Sequence, residues 1–389
     1  MSETGSPLKR GRASHRLRRD ALWTSGWHVL GVLGAFPCIL GLWPVKAAIQ
    51  WLLQTLVVLG FVHFRLHRYL GENHSPAGGE PAPSLGVANR ITLGRGWCIS
   101  CLAGFILLPG PMISSGPTWV AYIPGLLYLA VGCADFIDGL WARRTGTESV
   151  LGRGLDVEMD ALGLLIASVL AFWLGRLPLF YLSVGASYYI FRFGTWYRSR
   201  RGRVILPLKD RPTARIMAGL NMGFVCAALF PVFAIQVLKL AAICFSLPLL
   251  AGFLWDWLLV SARLTEGCEA WLRKFIARAN GVLPLVMRMV VLVSGPAIAG
   301  TLFEPLPAMA AVAWGLLWVM IVLGWMGRTA SLAASCRLIF TASSGDAPPL
   351  VLVTLCAVLV LTILGTGYWS WWKPEDVCLS RKVGARSTP

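Results

Sequence analysis

Four aspartates, Asp135, Asp138, Asp156 and Asp160, stand close together in a chain otherwise poor in acid. Residues 135–160 hold six of its 18 acidic residues, against 35 Lys and Arg overall. In order they read Asp135, Asp138, Gly139, Ala142, Arg143, Gly152, Asp156 and Asp160, or D-x2-D-G-x2-A-R-x8-G-x3-D-x3-D. On helices, Asp135 and Asp138 share a face at i, i+3, and Asp156 and Asp160 share another at i, i+4. Carboxylates beside apolar spans repel one another unless a cation neutralises them. Two such faces pointing at each other make an oxygen-only cage that suits Mg2+ or Mn2+.

The rest of the composition narrows the chemistry further. All five histidines (His15, His28, His63, His67 and His74) precede residue 75. Ser-His-Asp hydrolysis, histidine zinc sites and histidine relays are therefore excluded from the downstream chain, and acid–base work falls to carboxylates. Ten cysteines lie scattered through apolar runs, and the one C-x2-C, Cys98 and Cys101, reads as packing inside a span.

The elements that must position these residues are membrane helices. Of 389 residues 56% are hydrophobic and only 14% charged, with a mean hydropathy of +0.67. Soluble domains carry roughly 25% charge. Apolar runs long enough to cross a bilayer recur from residue 22 to residue 372. Spans are expected near 23–43 and 46–64, then 98–115, 118–134, 156–174, 177–195, 213–233 and 235–261, then 284–303, 307–326 and 349–370. Residues 330–343 are too short and polar to count as a span.

The net charge of +17 sits in short segments, Lys9 to Arg19, Arg65 to Arg68, Arg143 to Arg153, Arg198 to Arg215 and Arg273 to Arg278. Between spans this follows the positive-inside rule and places those segments, with the acidic motif, on the cytoplasmic side against membrane lipids. No nucleic-acid reading module accompanies the charge, so no nucleic-acid partner is expected. Three further spans after residue 280 leave Lys373, Arg381, Lys382 and Arg386 outside, where the count fails.

The acidic pattern resembles the signature of the CDP-alcohol phosphatidyltransferase family, with every specified position matched. Asn89, Thr92 and Arg95, an N-x2-T-x2-R run, look like the segment opening that family's first transmembrane helix. The resemblance covers about residues 88–262. It implies an all-α, polytopic bundle with a six-helix core, to which two N-terminal and three C-terminal spans are added. The expected divisions are a basic cytoplasmic tail at 1–22, two added spans at 23–70 and a Pro/Gly-rich linker at 71–87. The core at 88–262, an amphipathic connector at 263–283 and a C-terminal membrane region at 284–389 follow.

The resemblance also implies an activity. Family members transfer a phosphatidyl or similar phospho-alcohol group from a CDP-linked donor such as CDP-diacylglycerol to an alcohol and release CMP, in phospholipid synthesis. Asp135, Asp138, Asp156 and Asp160 would hold two Mg2+ or Mn2+ ions, and Asp160 would accept the proton of the attacking hydroxyl. Gly139, Ala142, Arg143 and Gly152 would meet the donor nucleotide, and Asn89, Thr92 and Arg95 its phosphates. Arg192, Lys209, Arg211 and Arg215 are candidates for a phosphorylated acceptor. A plasma-membrane location if the source is prokaryotic, and a homodimer, stay open with the acceptor. Arg144, Arg153 and Glu158 fall outside the pattern and read as loop charge. Two rivals remain, a cation-coupled transporter and a catalytically silent scaffold. Clustering of the acids at a helix end and loop argues against the first, and the complete set of four aspartates against the second.

Overall fold

The computed structural model describes residues 14–109, 118–208, 212–263, 266–302, 308–343 and 348–372. Among these the chain is all helical apart from one isolated bridge between Trp325 and Trp372. Among the described residues twelve α-helices occur, α1 (His15–Leu42), α2 (Val45–Tyr69), α3 (Gly86–Ala103), α4 (Ile123–Thr145), α5 (Val150–Trp173) and α6 (Leu182–Arg200), then α7 (Pro212–Leu229), α8 (Ile235–Val260), α9 (Glu266–Leu302), α10 (Ala308–Leu323), α11 (Gly327–Ser343) and α12 (Pro349–Leu364). Five described helical stretches, His15–Leu42, Val45–Glu72, Trp119–Thr145, Ile235–Val260 and Lys274–Ile298, are long and apolar enough to cross a bilayer. The chain is a polytopic helical membrane protein.

The chain forms two compact units, Met1–Gly175 with Val225–Pro231, and Arg176–Phe224 with Val232–Pro389. In the first, α3 packs against α2, α4 and α5. Gly96 makes this possible, because a Cβ there would stand 2.8 Å from Val62 of α2 and 2.9 Å from Met159 of α5. The hydroxyl of Ser25 lies 2.9 Å from His63 Nδ1, and His28 Nδ1 lies 3.2 Å from His63 Nε2, so the N-terminal histidines tie α1 to α2. Asp20 of α1 accepts from Leu85 N at 2.9 Å and from Arg90 at 2.6 Å, so it holds the start of α3. That N-terminus gains a carboxylate where its orphan N–H groups attract one.

In the second unit Tyr181 donates to Asn221 Oδ1 at 2.8 Å, and Asn221 Nδ2 donates to the carbonyl of Phe245 at 3.0 Å. The buried Arg288 of α9 donates to the carbonyls of Tyr368 (2.9 Å), Trp369 and Val322, pinning the turn after α12. Arg198, from the basic loop segment, is buried and donates to the carbonyls of Val204 at 2.9 Å and Ser261 at 3.1 Å.

Several elements differ from the sequence expectation. Helix α1 begins at His15, so the end of the expected basic tail is helical, while residues 1–13 lie outside the described set. The expected span at 98–115 is a helix that starts at Gly86 and ends at Ala103, because Asn89, Thr92 and Arg95 bury their polar groups inside the protein. The connector at 263–283 is no separate element, since α9 runs unbroken from Glu266 to Leu302 with Pro284 and Pro296 inside it. Residues 330–343, left uncounted, belong to α11, which buries Ser331 and Ser335. Cys98 and Cys101 are free thiols in α3, the second buried.

Candidate active site

Two helices and the turn between them carry the acidic pattern. Helix α4 stops where Gly146 takes a left-handed φ of 64°, a conformation cheap only for glycine, and Thr147 N bonds to the Ala142 carbonyl at 3.1 Å. Three residues on, Ser149 caps α5 by accepting from Gly152 N at 3.0 Å. Glycine closing one helix and serine opening the next thus fix a tight hairpin. It turns Asp135 and Asp138 of α4 toward Asp156 and Asp160 of α5.

Arg95 of α3 stands at the centre of the four. Its Nη1 lies 2.8 Å from Asp135, 2.7 Å from Asp156 and 3.3 Å from Asp138, and its Nη2 pairs with Asp160. The Arg95 side chain is fully buried, whereas those of Asp135, Asp156 and Asp160 are 41%, 45% and 40% exposed. Asp138 is recessed, and its Oδ2 lies 2.8 Å from the hydroxyl of Thr92. With all four carboxylates ionised, one guanidinium leaves three negative charges uncompensated. Unit charges about 4 Å apart interact with about 4 kcal/mol at the effective dielectric of such sites, so the cluster attracts further cations.

The donor set fits a divalent metal ion. Carboxylate oxygens of Asp135, Asp156 and Asp160 lie within 4.8 Å of one another and face open space. Only oxygen is offered, which suits Mg2+ or Mn2+ over softer ions. Asp138, expected to bind metal with Asp135 and Asp156, stands instead behind this trio with Thr92 and Arg95.

A cavity of about 200 Å³ opens beside the cluster and shares Asp138 and Asp156 with it. Of the residues expected at the donor, Asn89, Thr92, Gly139, Ala142, Arg143 and Gly152 line it. Arg95 does not line it, being enclosed among the carboxylates. The Arg143 guanidinium lies across Gly139, where a Cβ would stand 3.1 Å from Nη1. Asn89 Nδ2 donates to Asn73 Oδ1 (3.0 Å), the Leu85 carbonyl (2.8 Å) and Ser149 Oγ (3.3 Å), tying α3 to the linker and to the cap of α5. A Cβ at Gly152 would meet Asn89 Oδ1 at 2.5 Å, so glycine is what allows that junction.

Sequence reasoning missed part of this wall. Thr147, Glu148, Ser149 and Arg153 also line the cavity, and Arg153 donates to Glu148 at 2.7 Å on its rim. Position between the two acidic pairs was the signal available for them. Glu158 is not loop charge: it is buried in α5 and ion-paired with Arg65 of α2. Of the acceptor candidates, Arg192 is exposed on α6 and donates to the Tyr188 hydroxyl at 2.9 Å, and Arg215 is exposed in the first turns of α7. Lys209 and Arg211 lie outside the described residues.

Residues 85–247 match the family described as CDP-alcohol phosphatidyltransferase. That segment, which contains the whole acidic hairpin, is similar to the membrane transferases of the CDP-alcohol class. No curated protein and no solved structure matches the chain.

Proposed function

We propose that this chain transfers a phosphatidyl group from CDP-diacylglycerol, or a similar phospho-alcohol group from another CDP-linked donor, to an alcohol and releases CMP. One observation carries the reading: the cavity lined by Asn89, Thr92, Gly139, Ala142, Arg143 and Gly152 also has Asp138 and Asp156 of the aspartate cluster in its wall. A nucleotide in that cavity has its phosphates beside the acids.

Asp135, Asp156 and Asp160 would hold the ions, two in number by family resemblance, with Asp138 and Arg95 fixing the trio from behind. Divalent ions bound there supply charge neutralisation for the pyrophosphate and for departing CMP. The protein's own groups do the rest. Arg143 offers two parallel N–H donors to a phosphate, a geometry that lysine cannot reproduce. Gly139 leaves room for the Arg143 guanidinium at the cavity wall, and Gly152 allows the close junction of α5 with Asn89. Asp160, ending its contact with Arg95 at the open edge of the cluster, takes the proton of the attacking hydroxyl.

The core of this function is assigned to residues 88–262, with the active site facing the cytoplasm and phospholipid synthesis as its setting. Support for the orientation comes from the basic residues flanking the hairpin, Arg143, Arg144 and Arg153. The acceptor is tested by offering labelled free and phosphorylated polyols to purified protein with CDP-diacylglycerol and Mg2+. Transfer to the phosphorylated polyol and not to the free one identifies a phosphorylated acceptor. If neither polyol class yields lipid product or CMP, the transfer reading fails.

A further inference from the structure

Helix α5 is gripped from both sides. Asp156 and Asp160 lie on its front face, held by Arg95 of α3. Glu158 falls between them in sequence and, at about 100° per residue, points about 160° away. On that back face it forms an ion pair with Arg65 of α2, the Glu158 side chain being 6% exposed and that of Arg65 16%. Arg65 is itself braced by Tyr69, whose ring lies 4.6 Å from the guanidinium carbon and whose hydroxyl accepts from Nη1 at 3.3 Å.

The chain just after α2 touches α5 a second time. The carbonyl of His74 accepts from Val150 N at 3.0 Å, satisfying one of the orphan N–H groups at the start of α5. The buried Asn73 donates to the Ser84 carbonyl at 2.8 Å and accepts from Asn89, which meets the Ser149 cap. Arg65, Asn73 and His74 all precede the segment matched to the family, residues 85–247.

We propose that the N-terminal addition, through Arg65 paired with Glu158 and through the 73–74 strap, sets the rotation of α5 and so positions Asp156 and Asp160 for metal binding. Arg65 and Glu158 are positioning residues, and the proposal rests on the metal-dependent reading above. Its magnitude follows from helix geometry. A carboxylate oxygen sits about 5–6 Å from the helix axis, so a turn of about 10° carries it about 1 Å. Displacements of that size cost about a hundredfold where geometry must be held. Loss of groups that orient metal ligands costs about ten- to a hundredfold in metal affinity.

The test titrates Mn2+ into full-length protein in detergent and reads free Mn2+ by electron paramagnetic resonance, with melting temperature measured alongside. Glu158→Gln keeps shape and fold but removes the charge, Arg65→Met removes the partner, and Asp156→Asn is the ligand control. Both positioning variants should weaken Mn2+ binding about ten- to a hundredfold. The exchanged pair Arg65→Glu/Glu158→Arg should recover most of that loss, as expected for coupled sites. A pair that merely supports the fold would lower the melting temperature and leave Mn2+ affinity unchanged, and that result overturns the proposal. Should Arg65→Met fail to fold, Glu158→Gln and the exchanged pair decide by the same criterion. If wild type and Asp156→Asn bind Mn2+ alike, the fault lies in the metal reading itself.

Discussion

Replacing Gly152 with alanine tests the junction on which the nucleotide cavity is built. The new Cβ would stand 2.5 Å from Asn89 Oδ1 and 3.1 Å from Ser149 Oγ, which is about 0.9 Å inside ordinary contact with the first. Asn89 cannot turn away freely, because its Nδ2 serves Asn73, the Leu85 carbonyl and Ser149 together. Overpacking of this kind costs about 1–3 kcal/mol. Breaking one of those hydrogen bonds adds about 0.5–1.5 kcal/mol. The expected loss of stability is therefore about 1.5–4.5 kcal/mol. If about 1.4–2.8 kcal/mol of the distortion falls on the cavity, CMP affinity drops about ten- to a hundredfold. Gly139→Ala is the contrast, since its Cβ meets only the mobile tip of Arg143, at 3.1 Å. Its stability cost should stay within about 0.5 kcal/mol. Thermal melts with and without CMP and Mg2+ read both quantities. Asn89→Ala should partly rescue Gly152→Ala, because it removes the atom the methyl meets, giving a cost below the sum of the two singles. Equal CMP affinity in wild type and Gly152→Ala, or strict additivity with Asn89→Ala, would refute this picture of the cavity wall.

Three further outcomes are expected. Asp160→Asn keeps size and shape but removes the proton acceptor, so CMP and donor should still bind while turnover falls about 10²–10⁴-fold; transfer near the wild-type rate would remove Asp160 from that role. Arg95→Met strips the counter-charge from four carboxylates, so the metal-free protein should melt earlier and the rise in melting temperature on adding Mg2+ should grow; unchanged melts in both states contradict the assignment. Asp138→Asn, behind the open trio, should weaken Mn2+ binding less than Asp135→Asn, measured by the same titration, and the reverse order would place Asp138 at the ion.

The acidic hairpin was legible because its chemistry fixes both residue types and spacing. Carboxylates at i, i+3 and i, i+4 on consecutive helices can converge only if the turn is short, and Gly146 and Ser149 supply its two ends. Asn89 and Thr92 were legible only through the resemblance of their N-x2-T-x2-R run to the family's. The place of Arg95 was not. Hydropathy set the first core span too late in the chain, because a fully buried arginine looks like a boundary when its four partners lie on other helices. Glu158 was lost similarly, its partner Arg65 being 93 residues away and reading as one more basic loop residue. The linker at 71–87 looked like a plain spacer from its Pro and Gly, yet Asn73 and His74 within it bond to α3 and α5. Each miss is a polar contact between distant segments, which local periodicity does not encode.

The central claim is metal-dependent transfer from a CDP-linked donor at the aspartate trio. The most direct measurement follows CMP release from labelled CDP-diacylglycerol, with the acceptor panel present, in Mg2+, in Mn2+ and in EDTA, for wild type and Asp156→Asn. Release should require Mg2+ or Mn2+, vanish in EDTA, return when metal is restored, and be lost in Asp156→Asn. Release at the same rate in EDTA, or metal-dependent release undiminished in Asp156→Asn, would contradict the account.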